Sequence, residues 1–171
     1  MVKSLATLLV IITALMSNLV FAHGPTPQRV DEKIIIQANT DAVWNIIKDF
    51  TNIDDWHPMI SSIEMPDEIT RILVLQNNQK ITESLDDLDT DLKMVSYRLL
   101  EENFDALPVS FYTISLQVEE SEQCAQLTWS GRFYRADTGN FPPDDLNDEA
   151  AVKAMTAFAK SGLQGIKDAV E

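Results

Sequence analysis

The hydrophobic positions of this chain change their period several times. Leu5 to Met16 is a nearly unbroken apolar stretch. Val30 to Ala38 centres on Ile34, Ile35 and Ile36, β-branched residues flanked by polar ones, and predicts a strand. Asn39-Thr40-Asp41 then offers N-cap chemistry, and Val43, Trp44, Ile46, Ile47 and Phe50 follow at helical spacing. This predicts a short amphipathic helix over Asp41 to Asp49, with a second helical turn over Asn52 to Trp56, stopped by Pro58. Beyond it the period drops to two. Ile60–Met65, Ile69–Gln76, Lys80–Leu88, Lys93–Glu102, Val109–Glu119 and Ala125–Ala136 read as strands, broken by Pro66-Asp67, Asn77-Asn78, Asp89-Thr90-Asp91, Pro108 and Glu120 to Glu122. After Phe141-Pro142-Pro143 the helical period returns: Val152, Met155, Phe158, Ala159, Leu163, Ile166 and Val170 predict one long helix from about Leu146 to Val170.

Short connections between successive strands imply an antiparallel meander. A long amphipathic helix after such a sheet must bury its stripe on it. The expected architecture is therefore α+β, a helix-grip fold: a curved seven-stranded antiparallel sheet around a long C-terminal helix, with two short helices after the first strand. The space between helix and sheet is the expected place for a pocket. Gly162 and Gly165 inside the helix would serve close packing on the sheet or leave room for a ligand.

Charge narrows the partners. The chain has 171 residues, with 13 Lys+Arg against 27 Asp+Glu, a net charge of -14. Phosphate backbones repel such a chain, which argues against nucleic acid. Lys3, the apolar stretch from Leu5 to Met16 and Val20-Phe21-Ala22 have the order of a secretory signal peptide. We therefore expect residues 1–22 to be a cleaved signal, 23–32 an extended N-terminal arm, and 33–171 one domain, exported to a bacterial periplasm. No later segment is apolar and long enough to span a membrane.

The motifs Val43-Trp44, Trp56-His57-Pro58, Ile81-Thr82-Glu83-Ser84-Leu85, Ser96-Tyr97-Arg98-Leu99, Leu107-Pro108-Val109 with Tyr112, and Thr128-Trp129-Ser130-Gly131-Arg132-Phe133 stand in an informative order. With them the chain resembles, over about Lys33 to Val170, the START-like superfamily (Bet v 1-like, SRPBCC) in its polyketide-cyclase and lipid-transport branch. The His23-Gly24-Pro25 start and the Trp-His-Pro element are most similar to one subgroup, the periplasmic MxaD-like proteins of methanol oxidation. That resemblance implies a helix-grip fold and a role in assisting methanol dehydrogenase and its cytochrome c.

Several residues are candidates for chemistry. His57, one of two histidines, would bind a ligand or move a proton; capping the short helix and sealing the pocket end is the preferred role, because an acid–base site needs several convergent polar groups. Glu83, if inward, needs a buried partner, and Arg98 on a neighbouring strand is the candidate; strand alternation alone leaves open which face is concave. Trp129, Gly131 and Phe133 share one strand face and would line a cavity or pack against Met155, Phe158 and Ala159. The candidate pocket residues are thus Trp56, His57, Glu83, Arg98, Tyr112, Trp129, Phe133, Met155 and Phe158. Cys124, the single cysteine, lies in a turn-like stretch without an adjacent base and reads as an inert thiol. After signal cleavage the α-amine and imidazole of His23 would offer two ligands to Cu(II), with His57 the sole further imidazole; the alternative is a free or partner-binding arm.

No phosphate-binding glycine loop, Ser/His/Asp order or HExxH run is present, and no cofactor or other metal is expected. Asp86, Asp87, Asp89 and Asp91 lack the glycine and closing glutamate of a calcium loop. With Asp144, Asp145, Asp148 and Glu149 they are candidate patches for a basic protein partner. The expected function is a periplasmic, non-enzymatic, MxaD-like accessory protein that docks to redox proteins and holds a small apolar ligand. Its alternatives are a carrier of a lipid, quinone or polyketide-like ligand, or a cyclase-like enzyme.

Overall fold

The computed structural model describes residues 24–122 and 124–171. The expected signal peptide and His23 lie outside the described residues. β1 (Gln28–Ile36) leads through the Asn39 cap, whose Oδ1 accepts from the Ala42 amide at 2.8 Å, into α1 (Thr40–Ile47). α2 (Ile53–Trp56) follows, and then β2 (Ile60–Glu64), β3 (Thr70–Leu75), β4 (Lys80–Asp89), β5 (Met94–Glu101), β6 (Val109–Ser121) and β7 (Cys124–Arg135). The chain ends in α3 (Asp148–Val170), capped by Asn147.

The seven strands form one antiparallel sheet in the order β1-β7-β6-β5-β4-β3-β2. β1 pairs with the last strand, so the meander closes back on its start. β4 shifts register between Leu85 and Asp87, an extra residue that bends the strand and aids the curl of the sheet. Alternate residues of β6 and β7, including Tyr112, Ile114, Leu116, Leu127, Trp129 and Phe133, are buried on the concave face. α3 lays Ala151, Met155, Phe158, Ala159, Gly162, Leu163 and Ile166 into that concavity. The fold is the expected α+β helix grip. No helix among the described residues is long and apolar enough to cross a membrane.

Boundaries moved where pairing overrode local pattern. The arm expected over 23–32 is already sheet from Gln28, because Gln28 to Glu32 pair with Trp129 to Phe133 of β7. Cys124 is not in a turn but opens β7, with its thiol 3.2 Å from Gln37 Oε1.

Candidate functional site

Burial places three polar residues in the apolar interior: His57, Arg71 and Glu83. Arg71 shares the inward face of β3 with Leu73 and Leu75, and register sets it directly opposite Glu83 on β4. Its Nε donates to Glu83 Oε2 at 2.7 Å, and its Nη2 lies 2.7 Å from the same oxygen. Nη1 donates to the Phe50 carbonyl at 3.0 Å. The guanidinium lies between two aromatic faces, 4.0 Å from the Phe50 ring centre and 4.6 Å from that of Tyr97. On the other side of the carboxylate, the Tyr112 hydroxyl donates to Oε1 at 2.5 Å.

The buried charge of Glu83 is thus met by an arginine and a phenol, as a dry interior demands. Burial, reinforced by the Glu83 charge, pushes the ionisation of both Tyr97 and Tyr112 upward, so both phenols stay neutral donors. The Tyr97 hydroxyl nevertheless has no hydrogen-bond partner.

Arg71, not Arg98, is therefore the partner of Glu83. Arg98 projects from the convex face of β5, between the inward Tyr97 and Leu99, and pairs with Asp86. Tyr97 on β5 spells out that parity, because an arginine between two inward apolar residues must face outward. Arg71 was the missed member. Its strand, Thr70–Leu75, is apolar on both faces, so alternation alone could not assign it.

A second cluster lies under α3. His57 follows α2 and is 1% exposed. Its ring is 4.2 Å from that of Phe158 and 6.0 Å from that of Trp129, with Trp56 5.7 Å away. Nδ1 accepts from the Met59 amide at 3.3 Å, an end-capping contact; Nε2 has no partner. Burial pulls the imidazole down to about 4, an effect that the nearby Phe158 carbonyl offsets in part without reaching hydrogen-bond geometry. The indole N–H groups of Trp56 and Trp129 also lack partners.

Gly162 explains the fit of this cluster. A methyl group there would stand 2.5 Å from Trp129 Cζ3 and 2.8 Å from His57 Cδ2. At Gly165 it would stand 1.8 Å from the Trp56 carbonyl oxygen. Both glycines serve close approach of α3 to the chain beneath it. A groove of about 450 Å³ that Gly165, Trp56 and His57 help to line opens outward, and Asp54, Asp55 and Asp168 rim it.

The structure brings Trp56, His57, Trp129 and Phe158 into one aromatic cluster, and Glu83 and Tyr112 into the ionic one. Phe133 and Met155 are buried in the same core. The four aspartates of the β4–β5 hairpin lie at the surface end of that hairpin, where Asp89 Oδ1 accepts from the amides of Asp91 (3.0 Å) and Leu92 (2.8 Å). No group of three or more His, Cys, Asp or Glu suited to a metal ion occurs among the described residues.

Solved structures share this fold. An uncharacterized protein from Bacillus thuringiensis superposes with a TM-score of 0.72 at 23% identity, over 84% of this chain and 98% of its own. The protein XoxI from Bacillus cereus gives 0.72 and 23%, over 83% and 94%. The ZhuI aromatase/cyclase from a Streptomyces species gives 0.65 and 18%, over 85% and 94%. At these identities the likeness is one of fold. No curated protein matches the sequence. The family model for polyketide cyclase/dehydrase and lipid transport proteins matches residues 27–171, the whole of the sheet and its helices, and the chain belongs to that family.

Proposed function

We propose that this protein is a non-enzymatic accessory protein of the periplasm that docks to basic redox proteins, as MxaD-like proteins do for methanol dehydrogenase and its cytochrome c. The observation that carries this reading is the β4–β5 hairpin. Leu88 and Leu92 are 42% and 54% exposed there, surrounded by Asp86, Asp87, Asp89 and Asp91 on a chain of net charge -14. Exposed leucines inside an acidic rim suit a partner with apolar surface ringed by lysine or arginine. The sealed interior supports the same reading, since its ionisable groups are bonded to one another or walled in by aromatic rings.

The test is binding to methanol dehydrogenase and its cytochrome by surface plasmon resonance across a salt series. Affinity falls steeply with salt, Asp87→Asn with Asp91→Asn slows association, and Leu88→Ser with Leu92→Ser speeds dissociation. No binding at low salt, or binding indifferent to salt and to these substitutions, refutes it.

A second reading, a carrier of a small apolar ligand with a polar end, is favoured by the unpaired interior atoms: His57 Nε2, Trp129 Nε1 and the Tyr97 hydroxyl. Native mass spectrometry of the purified protein tests it by the presence or absence of a retained small molecule.

A further inference from the structure

We infer that the convex face of the sheet carries a binding site for a small oxyanion, a phosphate, sulfate or carboxylate group, centred on Arg132. Register aligns Arg98, Thr113, Arg132 and Arg29 in one row across β5, β6, β7 and β1. Ser96, Ser115, Ser130 and Asp31 form the adjacent row. Three of the chain's five arginines therefore stand in one row on one outer face of an acidic protein, Arg132 beside Arg29 and Thr113 between Arg132 and Arg98. Arg29, Thr113 and Arg132 of the first row and all of the second line a groove of about 270 Å³, with Asp86 at its edge.

Charge pairing within the groove leaves one arginine free. Arg29 is 3.4 Å from Asp31, and Arg98 is bonded to Asp86. Among the described residues Arg132 has no carboxylate within ion-pair distance. The hydroxyls of Thr113, Ser115 and Ser130, which line the same groove, make no side-chain hydrogen bond there either. A guanidinium fork beside three free hydroxyls matches the planar or tetrahedral oxygens of an oxyanion. The two carboxylates that line the groove, Asp31 and Asp86, are the ones paired with Arg29 and Arg98, so neither is left to neutralise Arg132. The overall charge disfavours a large polyanion, so the ligand is a single small group. This site lies on the opposite face of the sheet from the aromatic and ionic clusters and does not depend on the docking function proposed above.

The experiment is a ¹H–¹⁵N titration of the purified protein with sodium phosphate, against sodium chloride at matched ionic strength. Amides of Thr113, Ser115, Ser130 and Arg132 shift saturably, with a midpoint of roughly 1–10 mM, as expected for a solvent-facing site. Arg132→Gln raises that midpoint at least about tenfold, Ser115→Ala raises it less, and the charge control Lys153→Gln leaves it unchanged. A parallel arm uses phosphatidylglycerol vesicles. Shifts with phosphate alone identify a free anion, and shifts with vesicles alone identify a lipid headgroup. The proposal fails if neither shifts these amides, if chloride shifts them equally, or if Arg132→Gln binds as the parent does.

Discussion

Arg71 and Glu83 stand directly opposite each other on β3 and β4, with the guanidinium Nε 2.7 Å from the carboxylate Oε2 and both side chains sealed from water. In a dry interior the pair is worth little against an apolar replacement, but each half alone is a liability. Glu83→Gln keeps an acceptor for Tyr112 yet strands the arginine, and lowers stability by about 3–5 kcal/mol in urea unfolding. Arg71→Met strands the carboxylate and does the same. The double variant Arg71→Met with Glu83→Leu is less destabilised than the sum of the singles, a positive coupling that a double-mutant cycle reads directly.

His57 makes stability depend on pH in a defined window. Its folded value of about 4 lies below the ordinary 6.5, so between these limits the unfolded chain binds the proton that the folded chain refuses. The stabilisation is complete above about pH 6.5, is lost as pH falls through the window, and is gone below about pH 4. The loss amounts to ~3 kcal/mol. His57→Phe, which keeps an aromatic ring beside Phe158, removes this component of the slope at the expense of the Met59 cap. Unfolding free energies measured from pH 4 to 8 for both proteins decide it.

Gly162→Ala opposes two effects. Alanine raises helix propensity by about 1 kcal/mol, while its methyl group meets the rigid Trp129 and His57 rings, and overpacking of this kind costs about 1–3 kcal/mol. The clash prevails, so the variant melts lower than the parent. Gly165→Ala falls further, since the obstacle is backbone, the Trp56 carbonyl. A higher melting temperature for either variant would show that α3 can lift off the sheet.

Arg135 holds the β7–α3 connection. It donates to the carbonyls of Asp137 at 2.6 Å and Gly139 at 2.8 Å, and to Asp148 Oδ2 at 2.8 Å. Arg135→Ala speeds amide hydrogen exchange over residues 137–147, leaves β4 and β5 protected as before, and costs about 1–3 kcal/mol through the carbonyls it abandons.

The sequence by itself determined the order of elements, because the period of apolar residues and the cap at Asn39 are local properties of the chain, while the family was legible as a resemblance in its motifs, Trp56-His57-Pro58 and Thr128 to Phe133 among them. It also placed Trp129, Phe133 and Phe158 in the core, since alternation on β7 and the stripe on α3 leave them no other face. What the tertiary structure decided is which distant residues meet. The partner of Glu83 depends on the parity of β3, whose two faces are equally apolar, and only the register with β4 brings Arg71 rather than Arg98 to the carboxylate. The role of Gly162 follows from where α3 crosses Trp129 and His57. The row of arginines on the convex face arises from register across β5, β6 and β7 and from the pairing of β7 with β1, which is distant in sequence. Such meetings depend on strand register and sheet curvature, and a one-residue slip would turn every one of these side chains to the opposite face.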